Sequence, residues 1–327
     1  MIRPFVYCGA ILFASATSGF AEESLNAIEK RYRNERLKLV AGEFNAEVVT
    51  TIRKKGTELL KTNATHTVAF DDSKKTYWVD SDAEWTPGFG TLDPRDNRVV
   101  RKTCYTPTVN VFFSNISSRR LQIFPNTERL PQGFTAIGYF DIRGIGLVDP
   151  FTHFTGESFD EMATFEIPRP FIGVHQERNG VIRLEWRGTP APDFSDLMEI
   201  WLDTTKGYAL IRREVSIIAE GKKHLDLETV VDWEIKQDVP VPVSAKFIRR
   251  DRASEKEYEY NWSIKWKSIG SATIETDWNK WNLPPGTGFY DRQGKIPIRI
   301  DPKRGTATPV PLIVRPPNVE QDDSAGQ

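Results

Sequence analysis

The sequence predicts a mainly-β, antiparallel fold preceded by one amphipathic helix. Three observations carry this. Tyr258, Tyr260, Trp262, Ile264 and Trp266 fall on every second position, with Glu257, Glu259, Asn261, Ser263, Lys265 and Lys267 between them. Side chains alternate across a strand, so this register puts large apolar groups on one face and charge on the other. Apolar-alternating runs are separated by Asn179-Gly180, by Thr204-Thr205-Lys206-Gly207 and by Ala219-Glu220-Gly221-Lys222, turn chemistry that supplies positive φ where hairpins need it. Helical spacing is convincing only between Glu23 and Lys38, where Leu25, Ile28, Tyr32 and Leu39 are set three, four and seven apart among charged residues.

The chain opens on Arg3 and an apolar stretch from Phe5 to Phe20, and Gly19 and Ala21 place small side chains before Glu22-Glu23. This is the pattern of a secretory leader cleaved after Ala21. The stretch is shorter than the roughly 20 residues of a spanning helix, and Cys8 lies inside it, not at the cut, so neither an integral span nor a lipid anchor is expected. A periplasmic or secreted location follows. With the leader removed, enough of the 327 residues remains for a substantial core. The expected organisation is residues 1–21 as leader, 22–301 as a single domain and 302–327 as a Pro-rich disordered tail, since the tail has few large apolar groups to offset chain entropy. The formal charge is −1 with Lys and Arg scattered, which excludes a nucleic-acid footprint. Cys104 is the only cysteine after processing, expected as a buried, unpaired thiol.

After the helix the period becomes two. Val48, Thr50 and Ile52 alternate with Val49, Thr51 and Arg53, and His66 to Phe70 leads through Asp71-Asp72-Ser73-Lys74 to Thr76–Val79 as a hairpin. Trp85 to Arg98 reads as an irregular loop, with strands at Val109 to Phe113 and Thr135 to Ile142. Hairpins follow around Asn179-Gly180 and between Met198–Asp203 and Tyr208–Ile218. Leu225 to Ile235 comes next, with Leu227, Thr229, Val231, Trp233 and Ile235 on one face. Val239-Pro240-Val241-Pro242 is expected to turn into a strand from Ser244 to Arg250, and Tyr258 to Trp266 closes an antiparallel meander.

Catalytic and metal-binding patterns are sparse. His66, His153, His175 and His224 form no HxH, HExxH or Cys-His spacing. Asp149, Glu157, Asp160 and Glu161 surround His153 in sequence, as solvated loops often do. Gly156-Glu157-Ser158-Phe159-Asp160 lacks the second glycine of a nucleophile elbow, and Gly286-Thr287-Gly288 does not open a helix as a phosphate cradle would. The expectation is a protein that is not an enzyme and has no cofactor or metal.

The succession Glu199-Ile200-Trp201-Leu202-Asp203, Lys206 to Glu214, Trp233-Glu234-Ile235 and Pro242 to Phe247 resembles the back half of proteins built on the LolA-like half-barrel, secreted bacterial proteins with a "dp.kgy.l.r.e" hairpin and a "w.ei...vPvs.k" strand. Leu283-Pro284-Pro285-Gly286-Thr287-Gly288-Phe289-Tyr290-Asp291 resembles a short ending common among such proteins, and the likeness spans roughly Gly133 to Asp291, including Phe140 to Leu147. The resemblance implies a curved, half-open antiparallel sheet closed on its concave side by helices, often over a hydrophobic cavity that holds acyl chains in the lipoprotein carriers. No family contact residue maps onto this sequence.

Ring-bearing strands are ordinarily core, but Tyr and Trp carry polar edges that suit a partly wet cavity. The expected ligand-binding residues are therefore Trp233, Tyr258, Tyr260, Trp262 and Trp266, holding a lipid or a lipoprotein. The alternatives are a protein-interaction or sensor domain of the same fold with a protein partner, and a secreted hydrolase centred on His153 with Glu157 or Asp160.

Overall fold

The computed structural model describes residues 25–84, 96–116, 119–125, 141–147, 165, 169–188, 194–291, 297–300 and 307–309. The leader, the carboxylates around His153 and most of the tail lie outside these. Residues 25–37 form helix α1. The strands then run in chain order: β1 (Ala41–Lys54), β2 (Thr57–Asp71), β3 (Thr76–Glu84), β4 (Arg98–Tyr105), β5 (Val109–Ser114), β6 (Arg120–Pro125), β7 (Phe171–Gln176), β8 (Val181–Arg187), β9 (Phe194–Asp203), β10 (Ala209–Ala219), β11 (Lys222–Lys236), β12 (Val239–Asp251), β13 (Lys256–Ile269), β14 (Gly288–Asp291), β15 (Pro297–Ile300) and β16 (Ala307–Pro309). They make one sheet in the order β16-β15-β14-β6-β5-β4-β3-β2-β1-β13-β12-β11-β10-β9-β8-β7. The sheet is curved and does not close, the mainly-β, half-open antiparallel architecture expected. Its one parallel contact sets β14 beside β6.

Two meanders compose the sheet. One runs outward from β1 to β6 and the other inward from β7 to β13, and they meet where β1 pairs with β13 from Gly42↔Ile269 to Lys54↔Lys256. Tight turns set the registers. The two-residue loops Lys55-Gly56, Glu220-Gly221 and Gln237-Asp238 hold both residues at positive φ, the turn whose twist matches that of paired strands. Asn179 and Gly180 do the same within the β7–β8 connection.

Some expectations are corrected. The turn foreseen at Val239–Pro242 lies one step earlier, at Gln237-Asp238, and Pro240 and Pro242 sit inside β12. They are tolerated because pairing with β13 starts only at Ser244, which leaves that flank of residues 239–243 an open edge. Ile235 follows Trp233 in the alternation of Leu227, Thr229, Val231 and Trp233 but, near the end of β11, it is exposed where they are buried. Ile142 begins a short 3-10 turn, Ile142–Gly144, where a strand was expected; residues 135–140 lie outside the described chain. β4 and β6 were not foreseen at all. Within the expected tail, residues 307–309 form β16, paired to β15.

The sheet's inner face is the one α1 packs on. Ile28, Tyr32 and Leu39 join Phe44, Phe70, Trp186, Leu210, Val231, Trp233, Phe247 and Ile264 in the main core. The outer face of β4–β6 carries a second cluster in which Cys104, Val111, Phe113 and Leu121 meet Trp281 and Phe289. Cys104 is fully buried and free, as expected, and burial pushes its thiol up to about 11.

Gly42 is a packing requirement of the β1–β13 seam. A Cβ there would lie 2.7 Å from Cζ3 of Trp266. That indole is held by Nε1 donating to Pro242 O at 2.8 Å and by the Phe44 ring at 4.9 Å. Gly42→Ala should therefore cost about 1–3 kcal/mol of stability in urea titration. An unchanged midpoint would show that Trp266 swings aside freely.

Candidate functional site

All five expected residues lie on the inner face, but in two different settings. Trp233 is core. It is 3% exposed, its Nε1 donates to Leu210 O at 2.8 Å, and the Arg36 guanidinium carbon stands 4.2 Å from the ring centroid. Along β13 only Ile264 is fully buried, while Tyr258, Tyr260, Trp262 and Trp266 are half-buried. The structure thus brings the four β13 rings into one row and sets Trp233 apart as packing.

The rows across the sheet show where cover ends. Trp262 lies between Val48 and Ala245, Tyr260 between Thr50 and Phe247, and Tyr258 between Ile52 and Arg249. Trp262 stacks on His66 at 5.8 Å and meets Phe247 edge-on at 6.5 Å. Toward the hairpin end of β1 and β2 the inner positions Thr50, Ile52, Leu60, Thr62 and Ala64 are all only half-buried, whereas Phe44, Ala46, Val68 and Phe70 at the other end are buried. The large rings on β13 span this gradient from covered to open.

Opposite the rings, the outer positions of β13 are wired by charge. Arg53 donates to Glu257 at 3.3 Å and also bonds Glu259, Lys246 reaches Glu259 at 3.1 Å, and Lys265 and Lys267 pair with Glu47 and Glu43. Burial pushes the Glu259 carboxyl up, but hydrogen bonds from Asn261, Arg53 and Lys246 hold it down at about 2. The alternation fixes which way β13 faces, since turning it over would bury these charges.

Sequence reasoning missed a polar group beside the rings. His66, Ser81 and Arg101 are direct cross-strand neighbours on β2, β3 and β4. His66 is 5% exposed, with Nδ1 and Ser81 Oγ 2.8 Å apart. Burial and the nearby Arg101 cation bring the imidazole down to about 4. It is therefore neutral at ordinary pH and a poor general base, because a catalytic histidine needs a pKa near the working pH and a carboxylate behind it. Arg36, on α1, is a second buried cation, 1% exposed; burial brings it down to about 10, and it donates to the carbonyls of Lys206 and Gly207 at 3.3 and 3.2 Å. Its placement follows from the helical spacing Tyr32–Arg36, which a pattern search for apolar residues passes over.

A wide, open concavity of about 480 Å³ lies between α1 and the turn after β9, lined by Arg31, Asn34, Glu35, Thr204, Gly207 and Tyr208. A cleft of about 80 Å³ lies between Phe70, Tyr77, Asp141, Ile142 and Arg143, below the roughly 300 Å³ at which small-molecule pockets begin. Arg143 fills its mouth, paired to Asp72 and to Asp141 at 2.5 Å. Among the described residues no cluster of three His, Cys, Asp or Glu side chains could hold a metal ion, and no helix is long and apolar enough to cross a membrane.

No family model matches the chain, and no curated protein matches it. Solved structures do. A DUF1329 family protein from Desulfovibrio piger aligns at 9% identity and TM-score 0.40, covering 76% of this chain and 95% of its own. A LolA superfamily protein from Nitrosomonas europaea aligns at 9% identity and TM-score 0.36 over 75% of this chain and 94% of its own. A domain named for outer membrane lipoprotein sorting, from Vibrio parahaemolyticus, aligns at 12% identity and TM-score 0.36 over 76% and 94%.

The buried histidine gives a pH dependence of defined sign. From an ordinary 6.5 the folded value falls to about 4, so between those pH values the unfolded chain binds a proton that the folded one does not. Stability is then full above pH 6.5 and falls as pH drops toward 4, by up to about 1.4 kcal/mol per unit. Urea titrations at pH 7 and pH 5 should show a larger loss for the parent than for His66→Asn, and equal losses would refute the assignment.

Proposed function

We propose that this chain is a non-enzymatic periplasmic or secreted binding protein that holds an apolar ligand, a lipid or the lipid of a lipoprotein, against the inner face of its half-open sheet. The observation that carries this reading is the contrast along one face. Trp233 is closed into the core at 3% exposure, while Tyr258, Tyr260, Trp262 and Trp266 on the same face stay half-buried. Large rings left partly uncovered in a row cost solvation free energy unless something covers them, and their polar edges suit a wet-and-apolar boundary. The leader pattern ending at Ala21 and the half-barrel resemblance of residues 199–247 point the same way.

The two settings of tryptophan separate ligand contact from packing. Trp233→Ala should cost about 3–5 kcal/mol of stability, as a large core truncation does. Trp262→Ala should cost clearly less, yet weaken binding of a fluorescent long-chain fatty acid by about 2 kcal/mol, one large apolar contact. Probe fluorescence and urea titration on both variants and the parent make the comparison. A parent that binds no probe, with Trp262→Ala as damaging to stability as Trp233→Ala, would rule the carrier out.

A further inference from the structure

The charges of α1 are sorted by side. Residues 25–38 carry five cations against two carboxylates, in a chain whose formal charge is −1. Successive residues of a helix turn by about 100°, which sets Ile28, Tyr32 and Arg36 on one side, the buried one. The opposite side runs through Lys30, Asn34 and Leu37 with Arg31 and Lys38 along its flank, and all five are exposed. Both carboxylates lie on the borders with the rest of the fold. Glu29 accepts from Phe165 N at 2.9 Å, and Glu35 lies against Gly207 while Lys38 donates to both its oxygens at 2.7 Å. A solvated helix ordinarily mixes the two signs on its outer face; the outward face of α1 carries cations alone.

Two features adjoin this face. At the end of the helix Leu37 and Val40 are 38% and 47% exposed, large apolar side chains left in water. Along the flank lies the open concavity of about 480 Å³, with Arg31 and Asn34 on one wall and Thr204, Gly207 and Tyr208 on the other. Arg31 donates from Nη1 to the Tyr208 hydroxyl at 2.6 Å and keeps further N–H donors for a second acceptor. Glu35 lines the same space, its charge matched by Lys38.

We propose that the outward face of α1 docks the protein on an anionic phospholipid surface. Lys30, Arg31 and Lys38 meet the phosphates, Leu37 and Val40 enter below them, and the concavity seats one head group beside Arg31. Cations on a helix face with apolar side chains at its margin are the combination that a charged bilayer interface stabilises. The cations are strung along about 12 Å of helix with no shared focus, which suits a fluid array of phosphates better than one fixed anion. This docking goes beyond the ligand reading above and does not depend on it. Because α1 packs on the inner face of the sheet, its outward side looks the same way as the half-buried rings of β13, and the docked molecule turns that face to the lipid.

Flotation of the full chain, purified after export, with vesicles of phosphatidylcholine alone or mixed with phosphatidylglycerol tests this, using the parent, Lys30→Glu, Leu37→Ser and Lys61→Glu. The parent should partition at least about tenfold more strongly onto the mixed vesicles, and added salt should shrink the difference. On those vesicles Lys30→Glu should lose about tenfold and Leu37→Ser about threefold. Lys61→Glu, the same charge change at an exposed position on the outer face of β2, should stay within about twofold of the parent. All three substituted side chains are exposed, and matching urea midpoints exclude damage to the fold. Equal partitioning onto both kinds of vesicle, no loss in Lys30→Glu or Leu37→Ser, or an equal loss in Lys61→Glu overturns the docking face. Binding of polyglutamate but not of vesicles, abolished by Lys30→Glu, overturns it in favour of an acidic protein. Release from the vesicles by inorganic phosphate at matched ionic strength overturns it in favour of a free anion.

Discussion

The β1–β13 ladder is the constraint on which the rest of this molecule depends. Each meander is stitched by local turns, but the two halves become one sheet only when Gly42–Lys54 lies against Lys256–Ile269. More than 200 positions of chain separate the partners, so loop-closure entropy opposes the contact and side-chain complementarity must offset it. The seam supplies that on both faces. Inside, Phe44 meets Trp266 and Val48 meets Trp262; outside, Arg53, Glu47 and Glu43 meet Glu259, Lys265 and Lys267. A slip of one residue would exchange the two sets.

Much of this was legible in the sequence for one reason: strands covered on a single face announce themselves by period two. That holds for β1 and for β10 to β13, and for turns such as Asn179-Gly180 between β7 and β8 and Glu220-Gly221 between β10 and β11, which do what their chemistry demands. The reading fails at β4 and β6 because those strands are covered on both faces. Cys104 and Leu121 point into the outer cluster, while Thr103 and Phe124 are buried as well, so polarity does not alternate. It also fails where a turn hides behind prolines, since Gln237-Asp238 carries no glycine.

The candidate site was half legible for a related reason. The row of rings is visible as a pattern, but the difference between Trp233 and Trp262 is set by where α1 lies over the sheet, a tertiary fact. Arg101 was invisible because a basic residue in an alternating strand is read as solvent-facing, and nothing local says that its side is the inner one. Arg36 and Arg101 share a constraint: each leaves Nε and Nη1 buried without a hydrogen-bond partner. Arg36 offsets this by donating through Nη2 to two carbonyls and by lying over the faces of Trp233 and Tyr32.

The outermost strands of the sheet are β16 and β7, and no ladder joins them. In a closed barrel, widening the lumen means rupturing backbone hydrogen bonds; here it means only a change of twist and coil shared over many strand pairs. Such a frame behaves as a leaf spring. It can widen or narrow with every internal ladder intact, so the span between its two margins is governed by elastic bending and not by a fixed aperture.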